Sequence, residues 1–283
     1  MIASIKRKVI SAMLWPALVS RPAKRGVVAI TFHNILTSQM SWFDAVCRVV
    51  TERYKVIDPR DFYCGKYILG NHDLQVMFTF DDGYSSNIKI AKECMSKYGI
   101  KGLFFLTEEF IGKNINDSYH FALEHFFPGR TSLPKPKEQY TAMSWSDVEW
   151  LLDNGHSIGA HTGTHPNLSH VQDQFLLKDE IIASADRMED RLGQELKCFA
   201  YPYGSISSIP KSAITNAMLR FSYSFSNVRG TIAESPSNYF LFRQNLVPND
   251  SMWLVQAMIE GRLDWKYKYE RDQSRNFVRD VNK

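Results

Sequence analysis

Apolar, strand-like runs and amphipathic, helix-like segments alternate along the chain from residue 26 onward. The runs GVVAITFHNI, LQVMFTFDDG, IKGLFFLT and HSIGAH have the pattern of strands, and SSNIKIAKECMSKYG and SWSDVEWLLDNG have that of helices. Such alternation is typical of a parallel sheet joined by crossover helices, and its frequent repetition favours a barrel. We therefore predict a single-domain α/β fold, a distorted (β/α) barrel of about seven parallel strands.

The charge of the two chain ends differs from that of the middle. Residues 1–25 carry six basic and no acidic residues, although the net charge of the whole chain is only +4. Their apolar residues fall at helical spacing beside the bases, which predicts a basic amphipathic segment, either an interfacial helix on an anionic membrane or a signal-like segment. Residues 26–261 are predicted to form one domain, and residues 262–283 a polar basic C-terminal tail. Because the middle is mildly acidic, we expect no binding to nucleic acid.

Residues 108–140 interrupt the alternation of strands and helices. Pro128, Gly129, Pro134 and Pro136 mark an irregular connection. Long connections without regular structure are uncommon in compact domains, and many of them are functional. The segment is therefore predicted to be a lid or substrate wall or, alternatively, a tolerated insertion.

Two adjacent carboxylates, Asp81 and Asp82, stand at the end of the apolar run LQVMFTF, just before Gly83. Like charges side by side repel each other, and burial at a strand end strengthens that repulsion. A bound cation is the simplest explanation for the pair. In a barrel of parallel strands, functional residues lie where the strands end and the loops begin.

Two histidines, His161 and His165, follow the strand-like run HSIGA within GAHTGTHPNLS. Gly163 and Pro166 favour a loop over a helix, curled so that both imidazoles converge. Two imidazoles and one carboxylate form a three-ligand site with room for water, as in catalytic zinc centres. A second carboxylate beside such an ion can act as a general base. A hydrogen-bonded polar turn is the alternative interpretation of the two histidines.

The chain resembles the polysaccharide deacetylases, which include chitin, peptidoglycan and nodulation-factor deacetylases of the carbohydrate esterase family 4 type. The segments TFDDGY and HTGTH resemble the first two motifs of this family, and FAYPYG resembles the third. The three motifs occur in the family's order, and the resemblance extends over residues 26–250. It is nearest to the exopolysaccharide deacetylase-like subgroup.

This resemblance implies a role for each matching residue. Asp82, His161 and His165 would bind a divalent transition metal, Zn²⁺ first, with Co²⁺, Ni²⁺, Fe²⁺ or Mn²⁺ as alternatives. Asp81 would be the catalytic base that activates the attacking water. The backbone N–H of Tyr203 would help to stabilise the oxyanion. Residues 26–261 would then be the catalytic domain.

The sequence departs from the family pattern at two places. The third motif often carries an arginine that steadies the catalytic aspartate, where this chain has Ala200. We predict that Arg243 replaces it from another strand; a surface arginine is the alternative. The late Leu-His motif that supplies the general acid is absent, because no histidine follows His170. We predict that His33, in ITFHNI, takes that role, as first strands of the subgroup suggest; a structural histidine is the alternative.

The resemblance and the charge distribution together predict a function. We expect a metal-dependent hydrolase that removes N-acetyl groups from amino sugars of a surface glycan or a lipid-linked glycan precursor. An O-acetyl (ester) deacetylase and a catalytically degenerate glycan-binding protein on the same fold are the alternatives. Through residues 1–25 we expect peripheral contact with the inner membrane of a bacterial-type cell, on the cytoplasmic face, with periplasmic or secreted placement as the second choice.

Overall fold

The computed structural model describes residues 24–65 and 74–281 of the 283-residue chain. The predicted amphipathic segment lies outside these ranges, apart from Lys24 and Arg25. Within the described ranges, no helix combines the length and apolar character needed to cross a bilayer.

The strands form one parallel sheet that curls into a nearly closed barrel. The strands are β1 (Gly26–Phe32), β2 (Lys55–Val56), β3 (Leu74–Phe80), β4 (Gly102–Leu106), β5 (Ser157–Ala160), β6 (Cys198–Ala200), β7 (Tyr223–Phe225) and β8 (Arg243–Asn245). Seven of them follow one another in the order β7-β6-β5-β4-β3-β1-β8, and the short β2 pairs with β3. A parallel bridge between Phe225 and Leu241, just before β8, links the two ends of the sheet. The predicted distorted barrel is thus confirmed.

Helices flank the barrel and begin and end where local sequence signals stand. Ser144 and Asp147 form a reciprocal capping box at the start of the helix Trp145–Asp153, and Gly155 adopts φ +80° just after its end. The helices are α1 (Met40–Arg53), α2 (Pro59–Tyr63), α3 (Ser85–Glu93), α4 (Ile115–Phe121), α5 (Trp145–Asp153), α6 (Gln174–Lys178), α7 (Ser184–Leu192), α8 (Lys211–Arg220), α9 (Met252–Ile259) and α10 (Lys268–Arg279). The π-helical turns Ala122–Phe126 and Asp179–Ala183 continue α4 and α6.

The C-terminal residues pack on the barrel. Most of the segment predicted as a polar tail forms α10, in which Ser274 and Val278 are buried. At the amino end of β1, the Lys24 ammonium lies 2.6 Å from carboxylate oxygens of Glu234 and Asp264. These contacts attach the start of the described domain to its C-terminal part.

The two faces of the sheet have separate apolar clusters. Val27 and Ala29 of β1 share the interior cluster with residues of the other strands, whereas Val28 and Ile30 pack outward against the helices. Because strand side chains alternate, residues of β3 that follow Met77 at every second position also face the interior. This alternation directs a defined set of polar side chains into the barrel.

The irregular segment 108–140 builds a third apolar cluster of its own. It contains α4, the π-helical turn Ala122–Phe126 and a short 3₁₀ turn, Lys137–Tyr140. Just beyond the segment, an antiparallel bridge pairs Ala142 with Tyr84. The buried members of the cluster are Tyr84, Phe110, Tyr119, Phe121, Ala122, Leu133, Tyr140 and Ala142.

Candidate metal and catalytic site

The residues selected from the sequence meet at the carboxyl ends of the strands. Asp81 and Asp82 follow β3, His161 follows β5, and His33 follows β1. Tyr203 lies in the loop after β6. Because all strand pairings are parallel, these ends share one edge of the barrel. The alternation of β3 continues through Thr79 to Asp81, which places that carboxylate inside.

An unusual backbone conformation lets the second carboxylate reach the same site. Regular alternation would send Asp81 and Asp82 to opposite faces, but Asp82 has φ +76°. Among the described residues, four of the five non-glycine positions with positive φ belong to this site: Asp82, Thr162, His165 and Tyr203. Such conformations cost about 1–3 kcal/mol each and persist where the surroundings enforce them, often at functional sites.

Three side chains converge with the spacing of a metal site. The Nε2 atoms of His161 and His165 lie 3.5 and 3.6 Å from Oδ1 of Asp82. The candidate ligand atoms of all three residues lie within 4.8 Å of one another, and all three residues are buried. Asp82 Oδ1 is buried without a hydrogen-bond partner.

The hydrogen bond of His161 orients its ring for a cation. Its Nδ1 is 2.7 Å from the carbonyl oxygen of Ala200, so Nδ1 donates and, in the neutral imidazole, Nε2 is the acceptor. A cation between that nitrogen and the carboxylate oxygen of Asp82 would be bound by both. The residues present therefore fit a divalent ion.

The pKa values of the buried ligands suit metal binding. Burial alone would raise the pKa of Asp82, but the facing imidazoles, His161 first, lower it to about 2. Burial lowers the pKa of His165 to about 4, against the opposing effect of Asp82. At neutral pH the aspartate is therefore charged and the imidazole neutral, as ligands must be.

Arg243 pairs with Asp81 inside the barrel. Its Nη1 and Nη2 donate to Oδ1 and Oδ2 of Asp81 at 2.8 and 2.9 Å, and its Nε donates to the carbonyl oxygen of Ser226 at 2.8 Å. Arg243 is 1% exposed, which excludes a surface position. Burial alone would raise the pKa of Asp81, but the Arg243 guanidinium and nearby imidazoles lower it below the ordinary value.

His33 and Tyr203 form the solvent-facing side of the site. Nε2 of His33 lies 3.8 Å from Oδ2 of Asp81, and the His33 side chain is 39% exposed. Tyr203 is 41% exposed, and its ring centroid lies 5.1 Å from that of His165. Within the described part of the chain, the Tyr203 N–H donates to no acceptor. Both residues can therefore face an incoming substrate.

Two supporting residues were not predicted from the sequence. Glu180, in the π-helical turn Asp179–Ala183, accepts hydrogen bonds from the N–H and Oγ1 of Thr164 at 2.9 and 2.6 Å. It thus holds the loop between the two histidines. Phe126 places its ring centroid 4.9 Å from that of His165. Both residues lie on helical segments distant in sequence from the motifs, so no local pattern reveals them.

The barrel carries a cluster of buried polar residues at its carboxyl edge, and comparison with known sequences gives the family. A family sequence profile for polysaccharide deacetylases matches residues 70–222, more than half of the chain. The chain belongs to the polysaccharide deacetylase family. Membership supports hydrolysis of acetyl groups on a glycan. His33 and Arg243 lie outside the matched residues, so only the folded geometry associates them with the motifs.

Individual relatives agree with this family. YxkH of Bacillus subtilis, a protein named for this family, is 25% identical over 186 residues, which cover 66% of this chain but only 56% of that protein. The matched region therefore spans little more than half the length of this curated relative.

Solved structures share the fold. The Streptococcus pyogenes deacetylase PplD has a TM-score of 0.61 at 18% identity, covering 84% of this chain and 99% of that chain. IcaB from Ammonifex degensii has a TM-score of 0.62 at 21% identity, covering 84% and 98%. A de-N-acetylase from Aggregatibacter actinomycetemcomitans has a TM-score of 0.62 at 14% identity, covering 83% and 99%.

Proposed function

We propose that this protein is a metal-dependent hydrolase that removes N-acetyl groups from amino sugars of a surface glycan or a lipid-linked glycan precursor. The observation that carries the metal dependence is the buried, unpartnered Oδ1 of Asp82, which faces the Nε2 atoms of His161 and His165. A neighbour in fold that is named a de-N-acetylase supports the N-acetyl choice.

Asp82, His161 and His165 would hold the divalent metal, with Zn²⁺ as the first candidate and Co²⁺, Ni²⁺, Fe²⁺ and Mn²⁺ as alternatives. When bound, such an ion supplies Lewis acidity, which lowers the pKa of water and polarises a carbonyl oxygen. The chain itself positions this group, since the Ala200 carbonyl fixes the His161 ring.

Asp81 is proposed as the general base that takes a proton from the attacking water. The paired contacts with Arg243 orient its carboxylate and keep it ionised, and each oxygen retains capacity for a further hydrogen bond. Arg243 therefore acts through Asp81 as a positioning residue. Because Arg243 comes from β8, Asp81 has an arginine partner even though the third motif on β6 has the small Ala200.

The remaining groups would act on the substrate. The Tyr203 N–H points from a left-handed loop position and would donate to the oxyanion formed from the acetamide carbonyl, while the leaving nitrogen needs a proton. The His33 imidazole, accessible at the mouth and close to Asp81, would donate that proton.

Metal content and acetate release test this proposal together. We expect about one transition-metal ion per chain of wild type by elemental mass spectrometry, and acetate release from N-acetylated oligosaccharides. Asp82→Ala and His161→Ala should lose both. His170→Ala, an exposed histidine outside the site, is the matched control and should keep both.

Other results would overturn the proposal in defined ways. Acetate release only from O-acetylated xylan would establish the ester deacetylase instead. A chain that takes up no Zn²⁺, Co²⁺ or Ni²⁺ and binds glycan without hydrolysis would be the degenerate binding protein. Full activity of Asp82→Ala would remove the metal site from the mechanism.

Peripheral membrane contact is proposed as well, on the cytoplasmic face of the inner membrane, with the periplasm or secretion as the second choice. All charged residues among residues 1–25 are basic. Lys24 contacts Asp264, and the segment that follows exposes Trp265 and Tyr269, which are 48% and 74% exposed. Lys266 and Lys268 stand next to these aromatic residues. Aromatic and basic side chains suit an anionic bilayer surface.

Vesicle co-sedimentation tests this contact. Binding should need phosphatidylglycerol and should weaken when Trp265 and Tyr269 are both replaced by serine, while acetate release from a soluble glycan stays unchanged. Equal sedimentation with pure phosphatidylcholine vesicles, or none with either, would contradict membrane contact.

A further inference from the structure

The two candidate histidine ligands are held in different ways. Nδ1 of His161 is fixed by the Ala200 carbonyl oxygen at 2.7 Å. Nδ1 of His165 has no hydrogen-bond partner among the described residues, and water hardly reaches it because the residue is only 7% exposed. Histidines that bind metals are normally oriented through their second nitrogen. Another feature of the chain must therefore set the orientation of His165.

The π-helical turn Ala122–Phe126 lies against this histidine. The Phe126 ring meets the His165 ring edge to face, with centroids 4.9 Å apart and planes at 87°. The Tyr203 ring also lies near it, with its centroid 5.1 Å away.

The π-helical geometry explains why Phe126 points at the site. The N–H of Phe127 donates to the carbonyl oxygen of Ala122, five residues earlier, at 2.9 Å. One extra residue in the turn rotates the following side chains by about 100° relative to a continued α-helix.

The apolar cluster of the segment 108–140 fixes the turn. The Phe126 ring lies 4.9 Å from that of Phe110, 5.5 Å from that of Phe121 and 5.5 Å from that of Tyr84. Tyr84 is 2% exposed and stands two residues after Asp82. The cluster is therefore joined to two of the three candidate ligands, which a merely tolerated insertion would not require.

We propose that the turn Ala122–Phe126 is a positioning element of the metal centre. The Phe126 ring holds the His165 imidazole so that its Nε2 faces Asp82. The inference rests on the proposed function and assigns residues 108–140 a role in it. Phe126 is a positioning residue, because it acts on substrate only through His165.

Metal affinity of Phe126 variants tests the inference. Phe126→Leu should bind Zn²⁺ 10–100-fold more weakly in chelator competition, the usual effect of losing a residue that orients a ligand, and its Co²⁺ absorption spectrum should change. Phe126→Tyr, which keeps the ring, should restore most of the affinity. Phe127→Leu is the matched control, since that ring packs on Tyr140, 6.1 Å away, and should bind metal as the wild type does.

The possible outcomes separate this inference from the proposed function. A wild type without metal and without acetate release would overturn the proposed function. A metal-loaded, active wild type beside a folded Phe126→Leu with unchanged Zn²⁺ affinity and Co²⁺ spectrum would overturn only the positioning role. If Phe126→Leu does not fold, Phe126→Met, which keeps much of the volume but not the ring, takes its place: a 10–100-fold loss of Zn²⁺ affinity supports the inference, and wild-type affinity refutes it.

Discussion

Replacing Arg243 by methionine isolates the buried charge pair beneath the site. Methionine keeps much of the side-chain length but removes the guanidinium that donates two hydrogen bonds of 2.8 and 2.9 Å to Asp81. The two residues are 1% and 2% exposed, so water does not replace the lost donors without rearrangement. The carboxylate of Asp81 is then buried with its main counter-charge gone.

The expected loss of stability is large. Removing one member of a buried ion pair costs about 3–5 kcal/mol, because the other charge stays desolvated. The exposed pair of Arg60 with Asp58, 58% and 22% exposed, is the control. Arg60→Met should change the free energy of unfolding by less than about 1 kcal/mol.

The contribution of Asp81 to the pH dependence of stability should reverse its sign in Arg243→Met. In the wild type the folded pKa of Asp81 is lowered, so its ionised form contributes stability above the unfolded pKa, about 3.9, which is lost as pH falls through the folded value. In Arg243→Met, burial is no longer offset by the guanidinium, so the folded pKa lies above the unfolded one. The variant should therefore gain stability relative to the wild type as pH falls from 7 to 5.

Urea unfolding of the chelator-treated protein at pH 7 and pH 5 measures both effects. The double variant Asp81→Asn with Arg243→Met should recover part of the loss at pH 7, since it contains no buried unpaired carboxylate. An Arg243→Met protein that unfolds at the wild-type urea concentration at both pH values would refute the account of the pair.

Three further substitutions test other supports of the fold and site. Glu180→Gln should weaken Zn²⁺ binding in chelator competition, because the charged acceptor of the Thr164 hydrogen bonds is lost. Burial lowers the pKa of His156 to about 4. The wild-type free energy of unfolding, measured in urea, should therefore fall by about 3 kcal/mol as pH falls from 6.5 to 4, and His156→Gln should flatten that slope. Gly204→Ala should lower the melting temperature, because Gly204 has φ +65° and a Cβ there would lie 2.5 Å from Asn227.

The sequence predicts the barrel and the convergence of Asp81, Asp82, His161 and His165 because both depend on local order. Strand periodicity gives the fold, and parallel strands bring their carboxyl ends together whatever the loops do. The partner of Asp81 is harder to predict. Arg243 is the first residue of β8 and is 162 positions away from Asp81, and the pairing of β8 with β1 and of β1 with β3 brings the two together.

Phe126 and Glu180 could not be predicted for a different reason. Each lies in a π-helical turn, and one extra residue changes which helical face a side chain joins. The contact between segment 108–140 and His165 also joins two regions whose spacing in sequence carries no periodic signal.

Lys24 and the candidate site lie at opposite ends of the barrel strands. Lys24 stands just before β1, whereas His33 follows β1 and Asp81 follows β3. A strand of seven residues extends roughly 23 Å. If residues 1–23 hold the enzyme on a bilayer, the mouth of the site would face away from the lipid and lie about one barrel height from it. Such an enzyme would process sugars some distance along a chain and pass over the sugar next to its lipid carrier.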